Sequence, residues 1–256
     1  MNNSRKFQNE ENQSSFDNKV KAPQILKQQV CMLERYMFVE NEKLQGLIAY
    51  QHNNSIIDLS CQNLTDYDMG IIIQHAVVGK KCQGLNLWGN QFTHESISIL
   101  ADILEKNKAL KELDLSYNHI SDTGVKIISE LLSSNTCELQ DIDLSHNGIT
   151  DKGTIYLANM LKKNQTLKAL VLNNNDITDN GLKRLVDVLA KDNTKLTQLK
   201  LESNPRITHI GVDYIFRSLK NNKNLEEFYV RNCSVLGQDL QMLQEKAITF
   251  GIYVFI

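Results

Sequence analysis

One spacing constrains this chain more than any other feature. Starting from Gln62, the position recurs at Asn90, Asn118, Asn147, Asn175, Asn204 and Cys233, at intervals of 28, 28, 29, 28, 29 and 29 residues. Each is preceded by an alternating apolar triplet: Ile57-Asp-Leu59, Leu85-Asn-Leu87, Leu113-Asp-Leu115, Ile142-Asp-Leu144, Leu170-Val-Leu172, Leu199-Lys-Leu201 and Phe228-Tyr-Val230. The first six are followed by an apolar residue and a hydroxyl: Leu64-Thr65, Phe92-Thr93, Ile120-Ser121, Ile149-Thr150, Ile177-Thr178 and Ile207-Thr208. Copies this short cannot bury their own apolar sides. They require a fold in which each copy stacks on the next.

The pattern within one copy says what is stacked. Alternation sends the two apolar residues of each triplet to one face of a short strand. The asparagine amide can serve backbone groups in a turn that has no regular ladder. The Thr or Ser that follows suits a helix N-cap, and Asp66, Asp122, Asp151 and Asp179 follow it, facing the positive end of a helix. An apolar helical stripe comes next: Ile155, Leu157, Ala158 and Leu161 in one copy, Leu182, Leu185, Val186, Val188 and Leu189 in another. Adjacent strands stack ~4.8 Å apart and helices need ~10 Å. The stack must therefore curve, with strands inside. Asn204-Pro205-Arg206-Ile207 carries one extra residue, which predicts a local bulge.

Residues 55–236 are expected to form these repeats. Residues 1–22 are polar and are expected to be disordered alone. Residues 23–54 read as an N-terminal helical cap, with a partner-binding helix as the alternative. Residues 237–256 read as a C-terminal cap: a helix near Gln238–Lys246, then a strand Ile252–Ile256. The alternative for that strand is an exposed edge that adds to a partner sheet.

With its L-x-x-L-x-L-x-x-N frame at Leu110, Leu113, Leu115 and Asn118, the stretch 55–245 resembles the ribonuclease-inhibitor-like class of leucine-rich repeat proteins. The resemblance implies an α/β leucine-rich repeat solenoid, a right-handed β/α horseshoe with a concave parallel sheet and outer helices. It implies a non-catalytic protein-binding scaffold, such as a subunit of a ciliary axonemal assembly. The same class includes an activator of the Ran GTPase and ribonuclease inhibitor. A regulator of an enzyme is therefore a second expectation, and a bacterial effector using the fold a third.

Alternation also identifies the concave surface. One row runs Asp58, Asn86, Asp114, Asp143, Val171, Lys200, Tyr229; the row before it includes Glu112 and Asp141; the row after it includes Trp88, Ser116, Ser145 and Arg231. Tyr117 and His146 belong to the turn row. Glu112, Asp114, Asp141 and Asp143 are expected to form an acidic patch on adjacent strands, with Trp88 and Tyr117 beside it. Tyr229 and Arg231 are expected on the same face. Acid beside exposed aromatic rings points to a protein partner with a basic segment.

Composition removes other classes. The formal net charge of −2 and the scattered lysines and arginines give no stripe for nucleic acid. No apolar run reaches the ~18 residues of a membrane span. The five cysteines have no C-x-x-C spacing, so neither a zinc site nor a disulfide framework is expected. The first fifteen residues lack the apolar stretch of a secretory leader, so a cytoplasmic protein, with cytoskeletal or ciliary association open, is expected. No P-loop, H-E-x-x-H or G-x-S-x-G motif occurs, and no cofactor or enzyme activity is expected.

Overall fold

The computed structural model describes residues 41–193, 195–219, 222, 224–235, 239, 241–242, 245 and 253–255. The polar tail, the cap residues before Asn41 and most of the Gln238–Lys246 segment lie outside the described residues.

Helix α1 (Glu42–Ala49) precedes the array and is capped by the Asn41 side chain, which accepts from Leu44 N–H at 3.0 Å. Seven three-residue strands follow at the repeat interval: β1 (Ile56–Asp58), β2 (Gly84–Asn86), β3 (Glu112–Asp114), β4 (Asp141–Asp143), β5 (Ala169–Val171), β6 (Gln198–Lys200) and β7 (Glu227–Tyr229). An eighth, β8 (Tyr253–Phe255), extends the sheet. All are parallel and pair in sequence order from β1 to β8. The register keeps equivalent repeat positions opposite one another, so Asp114 faces Asp143 across β3 and β4.

The returns between strands are helical. The first is composite: a 3-10 turn (Asp66–Asp68), the short α2 (Met69–Ile72) and a π-helical turn (Ile73–Gly79). The others are α3 (His94–Leu104), α4 (Ser121–Ser133), α5 (Asp151–Leu161), α6 (Asp179–Lys191) and α7 (His209–Leu219). Helix packs on helix along one side of the sheet, and strands on the other, which is the α/β solenoid expected. The central inward row, Ile57, Leu85, Leu113, Ile142, Leu170, Leu199 and Phe228, is at most 4% exposed. At ~25 cal/mol per Å² of buried apolar surface, this row and its neighbours hold the stack together.

Polar ladders fix the spacing between repeats. Asn175 illustrates the first. Its amide donates to the carbonyls of Leu144, Leu172 and Asn173, and its Oδ1 accepts from Asn147 and Ile149 N–H. Asn90, Asn118, Asn147 and Asn204 each bond both within their own repeat and to the preceding one. Cys233 retains a weaker form, with Sγ 3.4 Å from the Leu201 carbonyl. Burial pushes this thiol up to about 11, which keeps it protonated and inert at neutral pH. The residue before each ladder position is left-handed throughout: Cys61, Gly89, Tyr117, His146, Asn174, Ser203 and Asn232 all have φ between 52° and 67°. The extra residue at Pro205 is absorbed in a turn in which Ile207 N–H donates to the Asn204 carbonyl at 3.0 Å, and Asn204 keeps its place.

A second asparagine series, which the sequence pattern had not singled out, closes the helix-to-strand turns. Asn164, Asn193 and Asn222 each donate to a carbonyl of the previous repeat, Leu132, Leu161 and Leu189, and accept from two N–H groups of their own turn.

The aspartates after the hydroxyl residues do more than face a helix end. Both oxygens of each clamp the next repeat. Thr93 donates its hydroxyl to Asp66, Thr150 to Asp122, Thr178 to Asp151 and Thr208 to Asp179, at 2.6–2.7 Å. The backbone N–H of each threonine donates to the other oxygen of the same carboxylate. Histidine stands where the aspartate should be in two repeats, at His94 and His209. The residue His94 would clamp is Ser121. Ser121, expected as an N-cap, departs from its equivalents: its φ is +56°, its N–H donates forward to the Asn147 carbonyl, and Ile120 takes the cap position. Thr93, Thr150 and Thr178 are extended and accept from the second helical N–H, as capping residues do.

Candidate functional site

The strand positions facing away from the helices form the candidate surface. Its centre lies on β3 and β4. Glu112 and Asp141 are paired in register, as are Asp114 and Asp143. Two carboxylates one strand spacing apart repel each other unless hydrogen bonds or a cation steady them. Asp114 Oδ1 accepts from Ser116 N–H at 2.8 Å and from the Ser116 hydroxyl at 2.5 Å. Asp143 Oδ1 accepts from Ser145 N–H at 2.8 Å. Among the described residues, none of the four carboxylates is within ion-pair distance of a lysine or arginine. Burial raises the pKa of Asp143; Ser145 pulls it partly back, and the neighbouring charge of Asp114 adds to the rise. Burial likewise raises Asp141, with Lys168 opposing.

Beside the acids runs a row of rings. Trp88 meets Tyr117 edge-on, with centroids 5.7 Å apart and planes at 77°. Tyr117 stacks on His146 at 3.6 Å and 21°. Trp88 and Tyr117 are 39% and 48% exposed, so both keep ring surface open to solvent. Their position follows from the backbone. Tyr117 and His146 occupy the left-handed turn position, which swings their side chains out beside the strand row. Burial lowers the pKa of His146, so the ring is neutral at pH 7. Rings and carboxylates together line an open depression of about 440 Å³ that includes Asp114, Asp143, Ser145 and Asn173. A second depression of about 420 Å³ adjoins it over Glu112, Asp141 and Gln198.

The structure thus brings together six residues expected at the site: Trp88, Glu112, Asp114, Tyr117, Asp141 and Asp143. Tyr229 and Arg231 stand apart, three strands away. There Tyr229 stacks on Phe255 at 4.3 Å, Lys200 lies over the Tyr229 ring, and Arg231 lies over the Phe255 ring. Arg231 also reaches Glu202 at 3.8 Å. His146 is the addition that the sequence reading placed on the row but not in the site. The spacing of one repeat between Tyr117 and His146 was the signal for it. Among the described residues no three His, Cys, Asp or Glu side chains converge as a metal site would need, and no helix is long and apolar enough to cross a membrane.

The carboxylates make a pH prediction. A cationic ligand needs Asp141 and Asp143 ionised. Their raised pKa values mean that protonation begins above the ordinary aspartate value of about 4. Protonation of His146 on acidification adds a like charge. Affinity for a cationic peptide should therefore be full at neutral pH and fall as pH drops into the acid range, with proton release on binding. Calorimetry across pH 7.5 to 4.5 in buffers of different ionisation heat measures both; an affinity flat across that range would mean the aspartates take no part.

Comparison with known proteins gives the following. The Leucine Rich repeat family profile matches residues 106–129, 137–158 and 163–186. The chain is 29% identical over 191 residues to NACHT, LRR and PYD domains-containing protein 3 of Rattus norvegicus, covering 74% of this chain and 18% of that protein. It is 26% identical over 231 residues to ribonuclease inhibitor of Mus musculus, covering 87% of this chain and 50% of that one. It spans half or less of the length of both. Among solved structures, a tropomodulin C-terminal domain from Caenorhabditis elegans aligns with a TM-score of 0.48 at 15% identity, over 62% of this chain and 90% of that one.

Proposed function

We propose, from the premise that this chain is a leucine-rich repeat protein with ribonuclease-inhibitor-like repeats, that it is a non-catalytic interaction module holding a basic segment of a protein partner on its sheet face. One observation carries the reading: the solvent-open row Trp88, Tyr117 and His146 lies against four carboxylates that have no ion-pair partner among the described residues. A large aromatic beside an open depression is the residue type that dominates interface energetics. Acid at close range steers a cationic partner and fixes its register. The likeness to ribonuclease inhibitor across 87% of the chain supports a version in which the partner is itself an enzyme whose basic surface is covered.

The test is partner capture from the native source with the double variant Trp88→Ala, Asp114→Lys. Removing the ring and reversing one charge should weaken binding by about 2 kcal/mol or more, roughly thirtyfold. The control Ile210→Ser, at an exposed position on α7, should leave capture unchanged. Retention of the same partners by the double variant would place the binding surface elsewhere.

A further inference from the structure

We propose that the partner's basic segment is read through an arginine, whose guanidinium enters the depression between Trp88 and Tyr117 and the paired carboxylates of Asp114 and Asp143. This rests on the partner reading above and adds the chemistry that would separate one cation from another.

The carboxylates use one oxygen each within the chain. On each, Oδ1 is occupied by the serine two residues later, and Oδ2 has no hydrogen bond among the described residues. The two residues are in register on adjacent strands, whose backbones lie ~4.8 Å apart, so their Oδ2 atoms offer two acceptors on one face. An ammonium is a point charge that can sit at either one. A guanidinium is planar, carries five donors in a fixed fork, and can donate along two edges at once. A third polar group lines the same depression. Ser145 is 6% exposed, and its hydroxyl has no hydrogen-bond partner, although it is near enough to Asp143 to steady the charge there. In the preceding repeat the equivalent Ser116 hydroxyl is bound to its own aspartate. The Ser145 hydroxyl is left over among the described residues, an unpartnered polar group buried beneath the carboxylate at the floor of the depression.

The rings supply the second half of the selectivity. Tyr117 is sandwiched edge-on by Trp88 and face-on by His146, which leaves the Trp88 indole as an open wall. Guanidinium stacks flat on such a wall, whereas a hydrated ammonium does so less well. Lys200, two strands away on the same row, lies over the Tyr229 ring at 4.9 Å.

The experiment titrates nona-arginine and nona-lysine, equal in charge, into the full chain by calorimetry. The fluorescence of Trp88, the only tryptophan, is a second readout. The expected result is at least tenfold tighter binding of nona-arginine, a change in Trp88 emission on its addition, and collapse of the preference to within twofold in Asp114→Asn, Asp143→Asn. Trp88→Leu should reduce the preference, and Trp88→Phe should retain most of it. Circular dichroism on each variant checks that the repeats are intact. Equal affinity for the two peptides, lost together in the double variant, overturns the arginine assignment and leaves the basic-segment reading standing. A preference that survives the double variant overturns the assignment to this depression. No binding of either peptide at millimolar concentration overturns both.

Discussion

Asn175→Ala should lower the stability of this protein by about 3–5 kcal/mol, which corresponds to a fall in melting temperature on the order of 10 °C for an array of this size. The side chain is 5% exposed and makes five hydrogen bonds, at 3.0–3.2 Å, to backbone groups of its own repeat and the one before. Alanine leaves the N–H groups of Asn147 and Ile149 without the acceptor that now serves them. Each orphaned buried group costs about 1–3 kcal/mol. Asn175→Asp is the informative partner variant. It keeps the acceptor and loses the donors, so three carbonyls then face a carboxylate, and the loss should be at least as large. Chemical denaturation followed by circular dichroism measures both. A melting temperature within 3 °C of the parent would mean that water replaces the amide, and that the ladder is not what holds β4 to β5.

The second large effect is expected at Gly181. This glycine lies in the first turn of α6, with an ordinary helical backbone, and its neighbours explain why no side chain is present. A methyl built there would lie 2.4 Å from Asp151 Oδ1 and 2.9 Å from Ile177 Cγ2. Asp151 is the carboxylate that clamps Thr178. Gly181→Val should therefore push α6 away from the clamp and cost about 3 kcal/mol, at the upper end for an overpacked site. Gly148 makes the contrast. Its φ is +66° and the space around it is open, so Gly148→Ala meets only backbone strain of about 1–2 kcal/mol. Gly148→Asn should be milder still, because asparagine tolerates the left-handed region. Equal losses for Gly181→Val and Gly148→Ala would contradict the distinction between crowding and backbone conformation.

How much of this was legible in the sequence follows from the range of each interaction. The strands, the inward leucines and the solvent-facing rows depend on alternation and on the repeat interval, and both are printed in the chain. The grouping of Glu112, Asp114, Asp141 and Asp143 needed only a register that a fixed interval already sets. The carboxylate clamp was harder to see. Asp151 is two residues from Gly153 in its own helix start, but its partner is Thr178, one repeat on, and the pairing appears only when copies are stacked. The same holds for Gly181, whose small size matters because of a carboxylate in another repeat. Ser121 was misread because its own repeat looks ordinary, while the carboxylate that would clamp it is replaced by His94 in the repeat before. Tyr229 and Arg231 share the sheet face with Trp88, as alternation requires, but rows carry no distance along the stack, which sets them three strands from Asp143. Their rings and charges are taken up by Phe255, Lys200 and Glu202 instead.

The absent clamp between His94 and Ser121 weakens one joint of the array. Load or heat applied to a linear stack is borne unequally, and a joint with fewer cross-ties opens more readily. This joint separates β1 and β2 from β3 to β8. Trp88 belongs to one side of it and Tyr117 to the other, in contact across the gap. A ligand lying over both rings is then a splint as well as a guest. Part of the free energy of its binding is spent on setting the joint, and a protein carrying it should peel apart less readily at that seam than an empty one.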